Sequence, residues 1–174
     1  DLKNATEVKL GTGPGQQLLQ FSPDGKLIAT GTYGTRASLW STATGERIRQ
    51  FEVDPHEGAL TPVFSPDGKT LAVGNRNSMT HLFDVASGRL LHSLDRRMSQ
   101  GLSFDPTGAT LAVAYVNGSL GLWDVATGKL KNSIQSAADE LYSVNWSPDG
   151  SVLVTGGNHA QVTLWNSGDL SILC

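Results

Sequence analysis

The hexamer FSPDGK occurs twice, at Phe21–Lys26 and Phe64–Lys69, and two looser relatives follow it, FDPTG from Phe104 and WSPDG from Trp146. Aligned on Pro23, Pro66, Pro106 and Pro148, the four copies stand 43, 40 and 42 residues apart. Seventeen residues after each proline comes an aromatic side chain: Trp40, Phe83, Trp123 and Trp165. An offset kept through four copies marks one structural unit written repeatedly. It restricts the chain to folds built by stacking such units side by side.

The letters inside the repeat are those of short strands and tight turns. In SPDG, proline presets φ at the second position of a turn, and glycine supplies the positive φ that ends it. The runs that follow, LIATG, LAVGN, LAVAY and VLVTGG, are short, β-rich and not cleanly alternating. That is the pattern of strands covered on both faces. Val116–Ser119 contains Asn-Gly, a two-residue hairpin signal. SLW, LFD, LGLWD and VTLWN end at the anchor aromatic. Ser41, Asp84, Asp124 or Asn166 comes next, each able to accept from amides of the following turn, which Gly45, Gly88 and Gly128 close. A further strand is expected in ERIRQF, RLLHSL and KLKNSI, and no segment keeps a 3.6-residue period beyond two turns.

Four short strands in about 42 residues make one propeller blade. The expected fold is therefore all-β: a β-propeller of four-stranded antiparallel blades, with about four blades present as a partial propeller across residues 1–174. The approximate repeats are 11–53, 54–94, 95–136 and 137–174, and 1–10 reads as an outer strand of a preceding or closing blade.

FSPDGK…LAVGN…LFDVASG and LAVAYVNGSLGLWDVATGK resemble the blades of bacterial WD-repeat (WD40) proteins, and the resemblance covers about nine-tenths of the chain. Propellers of the Tol system and of prolyl-oligopeptidase-type enzymes share SPDG-like turns, but the LWD-xATG signature favours the WD-repeat family. The resemblance implies a toroid, normally of seven blades, in which each sequence repeat runs d-a-b-c. The family often places a Gly-His pair eleven residues before the proline and an Asp eleven after it, linked through a Ser or Thr hydroxyl to the Trp. Here Thr12, Pro55, Asp95 and Ala137 hold the His place, and Gly34, Asn77, Asn117 and His159 hold the Asp place. That relay is therefore expected to be absent, leaving apolar packing to hold the blades.

The resemblance also implies that the d–a and b–c loops share one rim, the top, where partners commonly dock. Carried over blade by blade, this puts Gly13, Gly15 and Tyr33 on the first blade's rim and His56, Gly58 and Arg76 on the second. The third contributes Arg96, Met98 and Val116, and the fourth Ala138, Glu140 and Asn158. Arg76, Arg96 and the adjoining Arg97, beside His56, would form a cationic group suited to a carboxylate or phosphate. The alternative is that three of the thirteen basic residues share a rim by chance. The candidate partner-binding rim is thus Tyr33, His56, Arg76, Arg96, Arg97, Met98, Glu140 and Asn158. The aromatics Trp40, Phe83, Trp123 and Trp165 are read as blade-packing residues, not a ligand box.

Seven blades of this length need roughly 300 residues. With 174, the chain is part of a longer propeller, half of an eight-bladed ring closed by two copies, or a strained four-bladed ring. Unpartnered end blades expose apolar sheet and edges. A net charge of −3 argues against a general nucleic-acid binder, which needs a basic face. No apolar run approaches 18 residues, so no membrane helix is expected. The single cysteine, Cys174, allows no intrachain disulfide and no thiolate metal site, and the expected compartment is the cytoplasm.

The search for chemistry returns little. GxSxG, HExxH and CxxC are absent, and His56, His81, His92 and His159 occupy unrelated places in the repeat. GTGPG at Gly11–Gly15 leads into a strand, whereas phosphate cradles feed a helix. No catalytic residue, metal or cofactor is therefore expected. The function expected is a non-enzymatic scaffold presenting rim loops to a protein partner or to another domain of its parent chain. The alternatives are an accessory propeller gating a catalytic domain outside this sequence, or a propeller binding a small ligand or carbohydrate.

Overall fold

Ser22 shows how each repeat begins its turn. Its hydroxyl donates to Asp24 Oδ1 at 2.6 Å and accepts the Leu27 amide at 2.9 Å, while the Gly25 amide closes on the Ser22 carbonyl. Ser65 with Asp67 and Ser147 with Asp149 repeat the arrangement at 2.6 Å each. In the third copy Asp105 stands in the serine's place and accepts the Thr110 amide itself, at 2.9 Å. The second turn signal is capped as its residue types suggest. Ser41, Asp84, Asp124 and Asn166 accept amides of Thr44, Ser87, Thr127 and Gly168 at 2.7–3.2 Å.

These turns join the strands of a computed structural model that describes residues 16–34, 36–53, 58–75, 79–94 and 97–173. The first blade holds β1 (Gln16–Phe21), β2 (Leu27–Gly34), β3 (Arg36–Ser41) and β4 (Arg47–Glu52), and the second β5 (Gly58–Phe64), β6 (Thr70–Asn75), β7 (His81–Asp84) and β8 (Leu90–Ser93). The third holds β9 (Ser99–Phe104), β10 (Thr110–Tyr115), β11 (Ser119–Asp124) and β12 (Leu130–Gln135). In the fourth, β13 (Leu141–Trp146), β14 (Val152–Gly157) and β15 (Val162–Asn166) are followed by a single bridge from Ile172 to Trp165. Within each blade successive strands pair antiparallel. The chain is thus an all-β partial propeller. Among the described residues no helix is long and apolar enough to cross a membrane.

The cores lie between blades. Ala29, Leu39 and Phe51 of the first meet Phe64, Leu71 and Phe83 of the second, with the Phe51 and Phe83 rings 5.0 Å apart. On β10 the two faces go opposite ways. Leu111, Val113 and Tyr115 pack back onto Ala72 and Leu82 of blade two, while Ala112 and Ala114 pack forward with Leu141, Leu153 and Trp165 of blade four. All six residues of β10 are buried for this reason, and a cleanly alternating sequence would leave one of its two sheet neighbours without an apolar partner. At Gly101 a Cβ would stand 2.7 Å from the Ser143 Cα, so the inner strands of blades three and four approach as closely as glycine permits. Among the described residues no core cluster joins blade four back to blade one.

Two expectations are corrected. The blades do not rely on apolar packing alone: the Trp40 and Trp165 indoles donate to Thr30 and Thr155 Oγ1 at 2.9 Å, and Trp123 donates to the Tyr115 hydroxyl at 2.8 Å. A buried indole N–H needs an acceptor, and the neighbouring strand provides one where the family's relay residues are missing. The Asn117-Gly118 hairpin is not a two-residue loop. Only Gly118 there has positive φ (77°), and its amide bonds the Tyr115 carbonyl at 3.0 Å, which makes a three-residue loop with glycine last.

Candidate interaction surfaces

In blades three and four the d–a and b–c loops meet at one end, as backbone bonds across them show. The Val116 amide donates to the Met98 carbonyl at 2.9 Å, and the Asn158 amide to the Glu140 carbonyl at 3.1 Å. The structure therefore brings Met98 together with Val116, and Glu140 with Asn158. Of the arginine group only Arg97 can be placed. It is exposed, with its guanidinium 5.5 Å from the centre of the Tyr115 ring, and so is tied to blade three's own frame. Met98 is half exposed. His56, Arg76, Arg96, Gly13 and Gly15 lie outside the described residues, as do the side chain of Tyr33 and the terminal Cys174. Beside Asn158, His159 and Ala160 take positive φ (57° and 56°), and the His159 ring stands 3.8 Å from the Asp139 carboxylate at an exposed position.

The opposite end is acidic in letters but internally satisfied. Asp24, Asp67, Asp84 and Asp124 are held below the usual carboxylate range, first by the neighbouring Ser or Thr hydroxyl and then by backbone amides. At Asp169 the Ser171 amide leads. Asp149 is lowered most, to about 2, by the hydroxyl of Ser147 together with the amide and hydroxyl of Ser151. Hydrogen bonds to the charged form cause this. These carboxylates are turn caps at 2.5–3.1 Å from their donors. Among the described residues no three His, Cys, Asp or Glu side chains cluster tightly enough for a metal ion.

Apolar surface is exposed elsewhere. Counting back from the turn, Leu19 and Phe21 of β1 match Leu102 and Phe104 of β9. Leu102 and Phe104 are each 7% exposed against blade two, while Leu19 and Phe21 are 64% and 57% exposed. The sequence announces unpartnered end blades in general terms, but only the packing says which face and which residues. A second apolar feature is a groove at the lower junction of blades one and two, floored by Leu27, Leu39, Ile48 and Val85. Nothing in the repeat pattern marks it, because its residues come from five separate segments.

Compared with known families, residues 29–167 match the model described as eukaryotic translation initiation factor eIF2A, from within β2 to just beyond β15. No curated protein matches the chain.

Proposed function

Because the chain belongs to the eukaryotic translation initiation factor eIF2A family, we propose that it is a non-catalytic propeller of WD-repeat type that holds protein partners during translation initiation in the cytoplasm. The observation that carries this reading is the Leu19–Phe21 stripe, apolar side chains more than half exposed at positions that blades two and three bury. Contiguous exposed apolar surface rimmed by polar residues is characteristic of protein–protein contact. The loop end carrying Met98, Arg97, Glu140 and Asn158 offers a second, more polar face, and the exposed Arg97 suits an acidic partner.

Photo-cross-linking in the full-length protein, in its own cells, tests this. Benzoylphenylalanine at position 21 is expected to give discrete covalent adducts with proteins of the initiation machinery, and at exposed Thr127 to give none. No adduct, adducts only within its own chain, or adducts with no connection to translation would overturn the reading.

A further inference from the structure

The groove at the lower junction of blades one and two encloses about 530 Å³, within the roughly 300–1,000 Å³ of sites that hold ligands. Its floor is aliphatic: Leu27, Leu39, Ile48 and Val85. Ile48 is 51% exposed, whereas Leu91, its equivalent one repeat later, packs on the core between blades two and three. Leu91 thus lies against its core, while Ile48 leaves half of its surface open at the groove.

The open junction is bridged by hydrogen bonds. Arg49 reaches across it from β4 and donates Nη1 to the Ser87 carbonyl at 2.8 Å and Nη2 to the Ala86 carbonyl at 2.9 Å. At the next junction His92 makes the equivalent bond to the Ala126 carbonyl at 2.9 Å. A groove braced in this way loses little ordering entropy when it is filled.

Its charges are lopsided. Arg49 places its terminal nitrogens on neutral carbonyls, so its charge is not cancelled at contact. The Lys69 side chain on the facing wall is 81% exposed and meets Asp67 only at 3.9 Å. Arg89 is exposed nearby, and both it and Arg49 act on the Asp84 carboxylate. That carboxylate is turned into its own loop, accepting the Ser87 amide at 2.7 Å and hydroxyl at 2.5 Å. An aliphatic floor under an excess of cations is complementary to a bulky apolar side chain flanked by carboxylates.

We propose that this groove docks an acidic segment of a partner protein through one large aliphatic or aromatic side chain, with flanking carboxylates directed to Lys69, Arg49 and Arg89. The proposal deepens the partner-holding reading above and names the partner's chemistry.

Amide-resolved NMR titration of the whole chain tests it, using the capped hexapeptide Glu-Glu-Leu-Phe-Glu-Glu and a counterpart with lysine for every glutamate. Saturable shifts are expected at the Ile48, Lys69 and Val85 amides with the acidic peptide only. Ile48→Glu and Lys69→Glu, both at exposed side chains, should leave the remaining spectrum unchanged. Ile48→Glu should weaken binding about tenfold or more through lost apolar burial. Lys69→Glu should weaken it a few-fold, an effect that shrinks as salt is raised. Shifts centred elsewhere, equal binding of the basic peptide, undiminished binding by Ile48→Glu, or no saturable binding would overturn the proposal. Cross-linking at position 21 reports on a different face, so such a failure leaves the partner-holding reading standing.

Discussion

The buried pair Trp165–Thr155 allows a test of what holds a blade together. The indole N–H donates to Thr155 Oγ1 at 2.9 Å, and the two residues are 0% and 1% exposed. Thr155→Val keeps the side-chain shape and removes the acceptor, leaving a buried donor unsatisfied at a cost of about 1–3 kcal/mol. Trp165→Phe leaves the threonine hydroxyl unsatisfied at a similar cost of about 1–3 kcal/mol, with lost packing in addition. The double variant removes both polar groups, so its destabilisation should fall short of the sum of the singles by about 1–3 kcal/mol. Blade two already carries this apolar version, with Val73 (0% exposed) and Phe83 (3%) at the same two repeat positions. Urea denaturation followed by circular dichroism measures each variant, and an unchanged slope with denaturant confirms that the same unit unfolds. Single effects that add within about 0.5 kcal/mol would refute the claim that the indole bond stabilises the blade.

Leu19→Glu and Phe21→Glu should change stability by no more than about 0.5 kcal/mol, while Leu102→Ala, at the buried counterpart of Leu19, should cost about 2–5 kcal/mol. Equal effects in thermal denaturation would mean that the two positions are not packed differently. Gly101→Ala should destabilise by about 1–3 kcal/mol or more, because the added carbon would meet main-chain atoms, the Ser143 Cα at 2.7 Å and the Val144 nitrogen at 2.8 Å. A neutral result would mean that the inner strands of blades three and four are not in contact. Asp149, lowered to about 2 from an ordinary 3.8, contributes stability that is present above pH 3.8 and lost as pH falls toward about 2. Ser147→Ala should raise its pKa in an NMR titration and move that loss to higher pH, and an unmoved titration would exclude the Ser147 hydroxyl as the cause.

The sequence by itself determined what depends on neighbours along the chain. The Ser22–Asp24 and Ser65–Asp67 turns, the caps at Asp84 and Asp124, and the strands between them are bonded within a few residues. The four-stranded unit and its repetition are therefore legible from spacing and turn chemistry. The rim positions were legible to the extent that Met98 meets Val116 and Glu140 meets Asn158 across paired loops. Tertiary structure alone decided the rest, because burial belongs to a pair of sheets and not to a letter. Leu19 and Leu102 are the same residue at the same repeat position, yet one lies in solvent and the other against blade two. The Trp acceptors, Thr30, Tyr115 and Thr155 on the neighbouring strand, were not expected once the relay's His and Asp places were found to hold other residues. The groove beneath Ile48 exists only where β4 of one blade faces the turns of the next. A wall built from two blades has no signature in either repeat read alone.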